Sequence, residues 1–184
     1  SLMACAPVTA FAEPRVRSME LNEKIRKWHI NLDGSCVQLS IAMAGIHCND
    51  LNASSLPWNT IYGPAERGGA TPSRVAAYCK RRGIDVWNVT GRGLTKQYAQ
   101  YAVDTGRYAA IGFWEQHFQT LYGQEVHTEA DGSKRVVWLI CNNQTPHKID
   151  RYSDADFDKY HRESGEWIVV LKRPSSPAPE YIDW

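Results

Sequence analysis

A cysteine stands where a turn-forming segment meets an apolar one, in NLDGSCVQLSIAMAGI, residues 31–46. The residues after Cys36 leave no wide polar face, which predicts a buried helix that begins at the cysteine. At a helix start, the unpaired amides and the positive end of the dipole favour a thiolate over a thiol. A lone cysteine on an apolar helix is otherwise typical of core packing. Cys36 is therefore a candidate nucleophile if the fold brings a base beside it.

His117 is the candidate base. It opens the apolar segment HFQTLYG, residues 117–123, where a strand would fix its side chain while it faces a cleft. The segment RVVWLIC, residues 135–141, ends directly before Asn142 and Asn143. If these segments pair as a hairpin, an asparagine amide returns beside the histidine and can orient the imidazole. Because side chains alternate along a strand, only one asparagine can face His117, and the register favours Asn142.

The other five histidines are predicted to be ordinary surface or capping residues, and among them His147, in a loop after Thr-Pro, is the main rival base. These histidines fall at helix ends, in loops or on a polar helix face, at His29, His47, His127, His147 and His161. Core packing is predicted for Cys48, Cys79 and Cys141. The five cysteines form no CxxC pair and no metal-like cluster, so no metal site is expected.

The surrounding pattern predicts helices followed by mostly antiparallel strands. Helices are predicted over 18–30, 36–46, 71–84, 95–106 and 153–164, and strands over 85–90, 107–114, 117–123, 135–141 and 166–171. A long loop is predicted over residues 47–71, and Asp131-Gly132 marks a hairpin turn. This order of elements indicates an α+β domain.

The composition argues against two classes of partner. The chain has 184 residues, with 21 Lys and Arg against 20 Asp and Glu, and a formal net charge of +1. This balance gives no electrostatic reason to expect a nucleic acid or an anionic membrane surface as partner. No apolar run approaches the roughly 20 residues that a membrane-spanning helix needs, so no membrane span is expected.

The succession of these motifs resembles the papain-like cysteine peptidase superfamily. The likeness runs over residues 18–172 and consists of GSC before an apolar helix, a histidine opening a core strand, and VWLICNN ending the next strand. Three further segments, TPSRVAAYCKRRGI, YSDADFDKYH and EWIVVL, are similar to the bacterial C39-like branch of that superfamily.

The resemblance implies a fold and a chemistry. The implied fold is papain-like α+β, with the cysteine on a buried helix of an N-terminal helical part that packs against an antiparallel sheet part across a cleft. The implied catalytic residues are Cys36 as nucleophile, His117 as general base and acid, and Asn142 as the group that orients the histidine. The implied activity is hydrolysis of peptide or amide bonds in a peptide or protein substrate through a thioester acyl-enzyme, without a metal or an organic cofactor.

The sequence departs from the family at the oxyanion hole, the donors that stabilise the negative oxygen formed during attack. The family uses the cysteine's own backbone N–H and a glutamine a few residues upstream. Here Asn31 is the nearest upstream substitute, and Gln38, beyond the cysteine, is a poorer one. Trp58 and Trp114 lie in loops that flank the expected cleft, and they are candidate substrate contacts.

The predicted organisation is a single domain with an arm and a tail. Residues 14–172 form the papain-like domain, with the helical part over 14–106 and the sheet part over 107–172. Residues 173–184 are a Pro-rich C-terminal tail. Residues 1–13 are an N-terminal arm or a signal remnant. The signal interpretation rests on Ala-Phe-Ala, which has the small-x-small pattern of a signal-peptidase site. The signal interpretation implies export and the arm implies a cytoplasmic protein; the sequence does not choose between them, nor does it fix an oligomeric state.

Two alternative functions remain open at the level of sequence. A peptidoglycan-directed cysteine amidase would keep the chemistry but change the substrate; such enzymes usually have an acidic residue before the cysteine, where this chain has Ser35. A catalytically inactive papain-like binding module is the second alternative, and the missing upstream glutamine favours it.

Overall fold

The computed structural model describes residues 15–17, 35–48, 50–54, 70–91 and 93–173. The helix predicted over 18–30 lies outside these residues, as do the arm over 1–13 and the tail beyond residue 173. The described helices are α1 (Cys36–His47), α2 (Leu51–Ser54), α3 (Pro72–Arg82), α4 (Leu94–Asp104) and α5 (Asp154–Glu163). The strands are β1 (Arg15–Arg17), β2 (Val86–Thr90), β3 (Ala109–Gly112), β4 (Phe118–Thr128), β5 (Lys134–Cys141), β6 (Asp150–Ser153) and β7 (Trp167–Leu171).

The strands form one antiparallel sheet in the order β2-β7-β3-β4-β5-β6, and β1 pairs with β4 beyond the end of β3. The fold class is therefore α+β, as predicted. Two strands of the predicted helical part, β1 and β2, belong to this sheet, because β1 pairs with β4 and β2 with β7. The sheet is thus wider than residues 107–172, since pairing partners far apart along the chain cannot be assigned from local patterns.

The two faces of the sheet bury different helices. One face packs against α1, and its core includes Cys36, Ile41, Phe118 and Tyr122. The opposite face packs against α4 and α5 and includes Phe113, Leu121, Trp138, Ile140 and Phe157. Alternate residues of each strand point to opposite faces, so neighbouring residues of β4 belong to different cores. This separation decides on which side each side chain near the predicted site lies.

Local signals placed α1 and α3 correctly. Helix α1 begins at Cys36 and is buried over most of its length, as its apolar sequence predicts. Helix α3 begins after Thr71, whose hydroxyl accepts a hydrogen bond from the Arg74 backbone N–H at 3.4 Å. Pro72 is its first residue, and Gly83 ends it in the left-handed conformation, with φ of +66°.

The β4–β5 hairpin brings the ends of two strands together. Its turn closes with a hydrogen bond of 2.9 Å from the Glu129 N–H to the Ser133 carbonyl, and Gly132 has φ of +83°. Pairing continues to Thr120 opposite Cys141. The residues just before β4 therefore lie beside those just after β5, which is the condition on which the predicted site depends.

Candidate active site

Cys36 lies at the start of α1, against the first residue of β4. The residue is 7% exposed, and its thiol receives a backbone hydrogen bond from Phe118, the residue directly after His117. Burial raises the pKa of the Cys36 thiol above its usual value, and backbone hydrogen bonds from Phe118, Val37 and Cys36 itself partly oppose this. This direction is opposite to the one expected from the helix start alone, because desolvation of the charge outweighs the amide donors.

His117 and Asn142 are directly hydrogen-bonded. The imidazole Nε2 lies 2.9 Å from Asn142 Oδ1, and the same oxygen accepts a hydrogen bond of 3.0 Å from the Gln144 backbone N–H. The backbone donor identifies this atom as the amide oxygen, so Nε2 must carry the hydrogen that it donates. In the neutral ring, the lone pair is therefore on Nδ1, which is the nitrogen left to accept a proton.

The charge state of His117 follows from its burial. Burial lowers the pKa of the imidazole below its ordinary value, and the hydrogen bond to Asn142 opposes that shift only in part. A lowered imidazole pKa and a raised thiol pKa both favour the uncharged forms. Both shifts thus act against a charged pair and toward a neutral thiol beside a neutral imidazole.

Asn143 points away from His117 and into the core beneath Cys36. It is fully buried, and its Nδ2 lies 3.0 Å from the Cys36 carbonyl, 3.0 Å from the Phe118 carbonyl and 3.1 Å from Ser40 Oγ. The sequence predicts that one asparagine faces the histidine and the other does not, but it gives no signal for this second set of contacts. They depend on α1 packing against the β4–β5 hairpin.

A short connector of residues 113–117 joins β3 to His117. The Phe113 N–H donates to the His117 carbonyl at 3.0 Å, and two non-glycine residues have positive φ, Trp114 at 68° and Gln116 at 52°. Such conformations cost free energy in side chains other than glycine, so the surrounding contacts must hold them. The Trp114 N–H supplies one of these contacts, a bond of 3.1 Å to the Tyr160 carbonyl of α5.

Trp114 is attached to the α5 side of the sheet. Its ring stacks on Tyr160 at 4.0 Å between centroids, and its Nε1 lies 3.4 Å from the Tyr152 hydroxyl. Trp114 is 41% exposed, so part of the residue faces solvent. Trp114 therefore contacts the face of the sheet opposite α1. Trp58, the other predicted substrate contact, lies outside the described residues.

His161 was predicted to be an ordinary surface or capping residue, and this is wrong. It is 3% exposed, with Nδ1 2.7 Å from the Gly112 carbonyl and Nε2 2.7 Å from Thr95 Oγ1. It joins α5 to α4 and to the end of β3, just before the connector. The spacing of four from the buried Phe157 places both side chains on one helix face, a signal that could have identified His161.

Of the two side chains predicted as oxyanion donors, only Gln38 is among the described residues. Asn31 lies outside them, and Gln38 is a half-buried residue of α1. Within the described part of the chain, Gln38 Oε1 is buried without a hydrogen-bond partner. The backbone amides of Cys36 and Val37 lie at the thiol.

None of the other described cysteines forms a disulfide within the described part of the chain. Cys79 and Cys141 are buried and Cys48 is half-buried. Burial raises the pKa of Cys48 to about 11 and that of Cys79 to about 12. These surroundings agree with their predicted packing role.

Two kinds of feature are absent from the described ranges, a metal-binding cluster and a membrane-spanning helix. No group of three or more His, Cys, Asp or Glu side chains there is arranged to hold a metal ion. No helix in this part of the chain is both long and apolar enough to cross a bilayer.

Comparison with known proteins adds no relative: no protein-family model matches the chain, and neither a curated protein nor a solved structure matches it significantly.

Proposed function

We propose that this protein is a papain-like cysteine hydrolase that cleaves peptide or amide bonds with Cys36, His117 and Asn142. The observation that carries the proposal is the Nε2–Oδ1 hydrogen bond of 2.9 Å between His117 and Asn142, beside a thiol held by the backbone of the next residue, Phe118. This bond leaves Nδ1 as the proton acceptor, which is the state that a general base requires.

The proposed acylation step begins from the neutral pair. As Cys36 Sγ attacks the substrate carbonyl carbon, its proton passes to His117 Nδ1, and a sulfur–carbon bond forms. The imidazolium then donates that proton to the leaving amine nitrogen as the carbon–nitrogen bond breaks. The products of this step are an amine and a thioester on Cys36.

The proposed deacylation step restores the enzyme. His117 removes a proton from a water molecule, which attacks the thioester carbonyl, and the sulfur leaves as the acid product forms. The proton returns to sulfur through the imidazole. Asn142 keeps Nε2–H occupied throughout, so that Nδ1 is the nitrogen that exchanges protons at each stage.

The architecture supports the papain-like part of the proposal. A buried helix starts at the nucleophile and packs on an antiparallel sheet, while His117 and Asn142 come from the two ends of one hairpin. The sequence resemblance implies the same arrangement. The first oxyanion donor in this scheme is the backbone N–H of Cys36, and the second is unassigned.

Acylation by p-nitrophenyl acetate tests the chemistry without a known substrate. Nitrophenolate release gives the rate, and peptide mapping by mass spectrometry locates the acetyl group. We expect acetylation of Cys36 at pH 7 to fall by roughly 10²–10⁴-fold in His117→Ala, the usual contribution of a general base. Cys48→Ala, which removes a half-buried thiol elsewhere, is the matched control and leaves the rate unchanged. Equal rates in wild type and His117→Ala would refute the proposal.

A catalytically inactive binding module is the second candidate, and one observation favours it. Cys36 is only 7% exposed, and burial raises the pKa of its thiol. An inactive module predicts no acetyl-Cys36 at any pH between 6 and 9 in the same assay. If acylation is found, a fluorogenic peptide library and purified peptidoglycan then separate a general peptidase from a cell-wall amidase.

A further inference from the structure

One side-chain nitrogen lies between the nucleophile's residue and the base's strand. Asn143 Nδ2 is 3.0 Å from the carbonyl of Cys36 and 3.0 Å from the carbonyl of Phe118. Cys36 begins α1 and Phe118 begins β4, so the contact joins two separate elements. It does so at Cys36, which carries Sγ, and at Phe118, the residue directly after His117.

The orientation of this amide is unambiguous. Backbone carbonyls only accept hydrogen bonds, and two of them face the same atom, so that atom must be the NH₂ group. The two hydrogens of Nδ2 are thereby directed at the two carbonyls, and Ser40 Oγ at 3.1 Å is a third neighbour.

The cost of this arrangement points to a positional role. Asn143 Oδ1 is buried without a hydrogen-bond partner in the described part of the chain, although the side chain is fully buried. An unsatisfied buried oxygen is unfavourable, and an apolar residue of similar size would avoid it. Buried polar groups with such a penalty occur mainly where a particular geometry matters. Asn143 is therefore a candidate for a positional role.

We infer that Asn143 is a positioning residue that sets the distance between Cys36 Sγ and His117 Nδ1 by tying α1 to the start of β4. This inference rests on the proposed function, because it assigns Asn143 a part in the same proton transfer. Asn142 fixes the direction of the imidazole, and Asn143 fixes its separation from sulfur. The two residues are consecutive after β5, and their side chains leave the chain in different directions.

A double-mutant cycle on the acetylation of Cys36 tests the inference. We expect Asn143→Ala to lower the rate at pH 7 by roughly 10–10²-fold, since a displacement of about 1 Å has an effect of that size. In the His117→Ala background the same substitution should change the rate less than twofold, because no proton transfer remains to be disturbed. A residue that merely stabilises the fold would lower the rate by the same factor in both backgrounds.

Two control variants separate this role from general loss of buried polar contacts. Ser40→Ala removes the third neighbour of Nδ2 but keeps both carbonyls, and we expect it to retain the wild-type rate. Gln124→Ala removes a buried amide farther along β4 that pairs with Gln100, and it should lower the melting temperature without changing the rate per folded molecule. If Asn143→Ala does not fold, Asn143→Ser, whose hydroxyl reaches one carbonyl at most, replaces it in the cycle.

The outcomes distinguish this inference from the proposed function. If wild type is no faster than His117→Ala, the proposed function fails. If wild type is faster and Asn143→Ala keeps the wild-type rate, the hydrolase stands and the positioning role is overturned. Equal loss in both backgrounds also overturns the positioning role. The positioning role is supported only if Asn143→Ala lowers the acetylation rate when His117 is present and not in the His117→Ala background.

Discussion

Asn142 and Asn143 are neighbours in the chain, but their amides bind groups of different elements. Asn142 Oδ1 accepts from His117 Nε2 at 2.9 Å, whereas Asn143 Nδ2 donates to the Cys36 carbonyl at 3.0 Å. The end of β5 therefore contacts both the candidate base and the residue of the candidate nucleophile. Adjacent asparagine amides reach two different partners because successive side chains point in opposite directions along a strand and at its end.

Two substitutions of Asn142 distinguish its effect on the orientation of the His117 ring from its effect on the pKa of that ring. Asn142→Ala removes the acceptor for Nε2–H, so the imidazole can rotate and exchange tautomers, and we expect acetylation of Cys36 to slow by roughly 10–10²-fold. Asn142→Asp keeps an acceptor and adds a negative charge, which raises the pKa of His117. The acid limb of the pH–rate profile should then move to higher pH. A limb that stays in place in Asn142→Asp would contradict the contact between the two side chains.

Acid should destabilise the fold through its buried histidines. Burial lowers the pKa of His161, and also those of His47 and His117, below their ordinary values. The unfolded chain therefore binds more protons than the folded chain between the lowered pKa values and the unfolded value of about 6.5. Their contribution to the free energy of unfolding is complete above that unfolded value and is lost as the pH falls from it through the lowered pKa values of the folded protein.

His161→Gln isolates the largest expected part of this effect, since His161 is the most buried of the three. The variant should be less stable than wild type at pH 8, because the hydrogen bonds to Gly112 and Thr95 are changed, but its stability should depend less on pH between 8 and 5. Urea unfolding at each pH measures both quantities. The exposed loop residue His147 gives the control variant His147→Gln. A pH dependence in His161→Gln equal to that of wild type would disprove the linkage.

The core on the α5 side should depend strongly on Phe157. Its side chain is fully buried and stacks on Trp138 at 4.0 Å between ring centroids. Phe157→Ala should lower the free energy of unfolding by about 3–5 kcal/mol, since it removes buried apolar surface and leaves a cavity. Phe157→Leu, which fills more of the space, should lose less. Urea unfolding monitored by tryptophan fluorescence makes the comparison, and equal losses in the two variants would argue against a tightly packed contact.

Gly112 precedes the connector to His117 and has no room for a side chain. A Cβ at this position would lie 2.6 Å from Ser164 Oγ, 3.2 Å from Ser164 Cβ and 3.3 Å from the Trp167 carbonyl. Gly112→Ala should therefore destabilise the protein by about 1–3 kcal/mol, the range for overpacked sites. Ser164→Gly removes the two nearest atoms, so the double variant should lose less stability than the sum of the two single variants. Additive losses in thermal unfolding would show that the clash is absent.

Much of the local structure could be predicted because its causes are close together in the chain. Thr71, Pro72 and Gly83 set the ends of α3 through a cap, a fixed φ and a left-handed turn. The turn signal at Asp131-Gly132 and the alternation of β5 led to the placement of Asn142 beside His117, which the hydrogen bond confirms. Strand β6 was not predicted, because its sequence, DRYS, has a polar pattern and gains its strand conformation by pairing with β5.

Residue types and local spacing thus determined most helix starts, the hairpin and the pairing of His117 with Asn142. Tertiary structure decided the properties that depend on burial and on partners far along the chain. His161 became a buried link between α4, α5 and β3, Asn143 joined α1 to β4, and desolvation reversed the expected pKa shift of Cys36. The physical reason is that capping and alternation act over a few residues, whereas desolvation and packing depend on segments that meet only when the chain has folded.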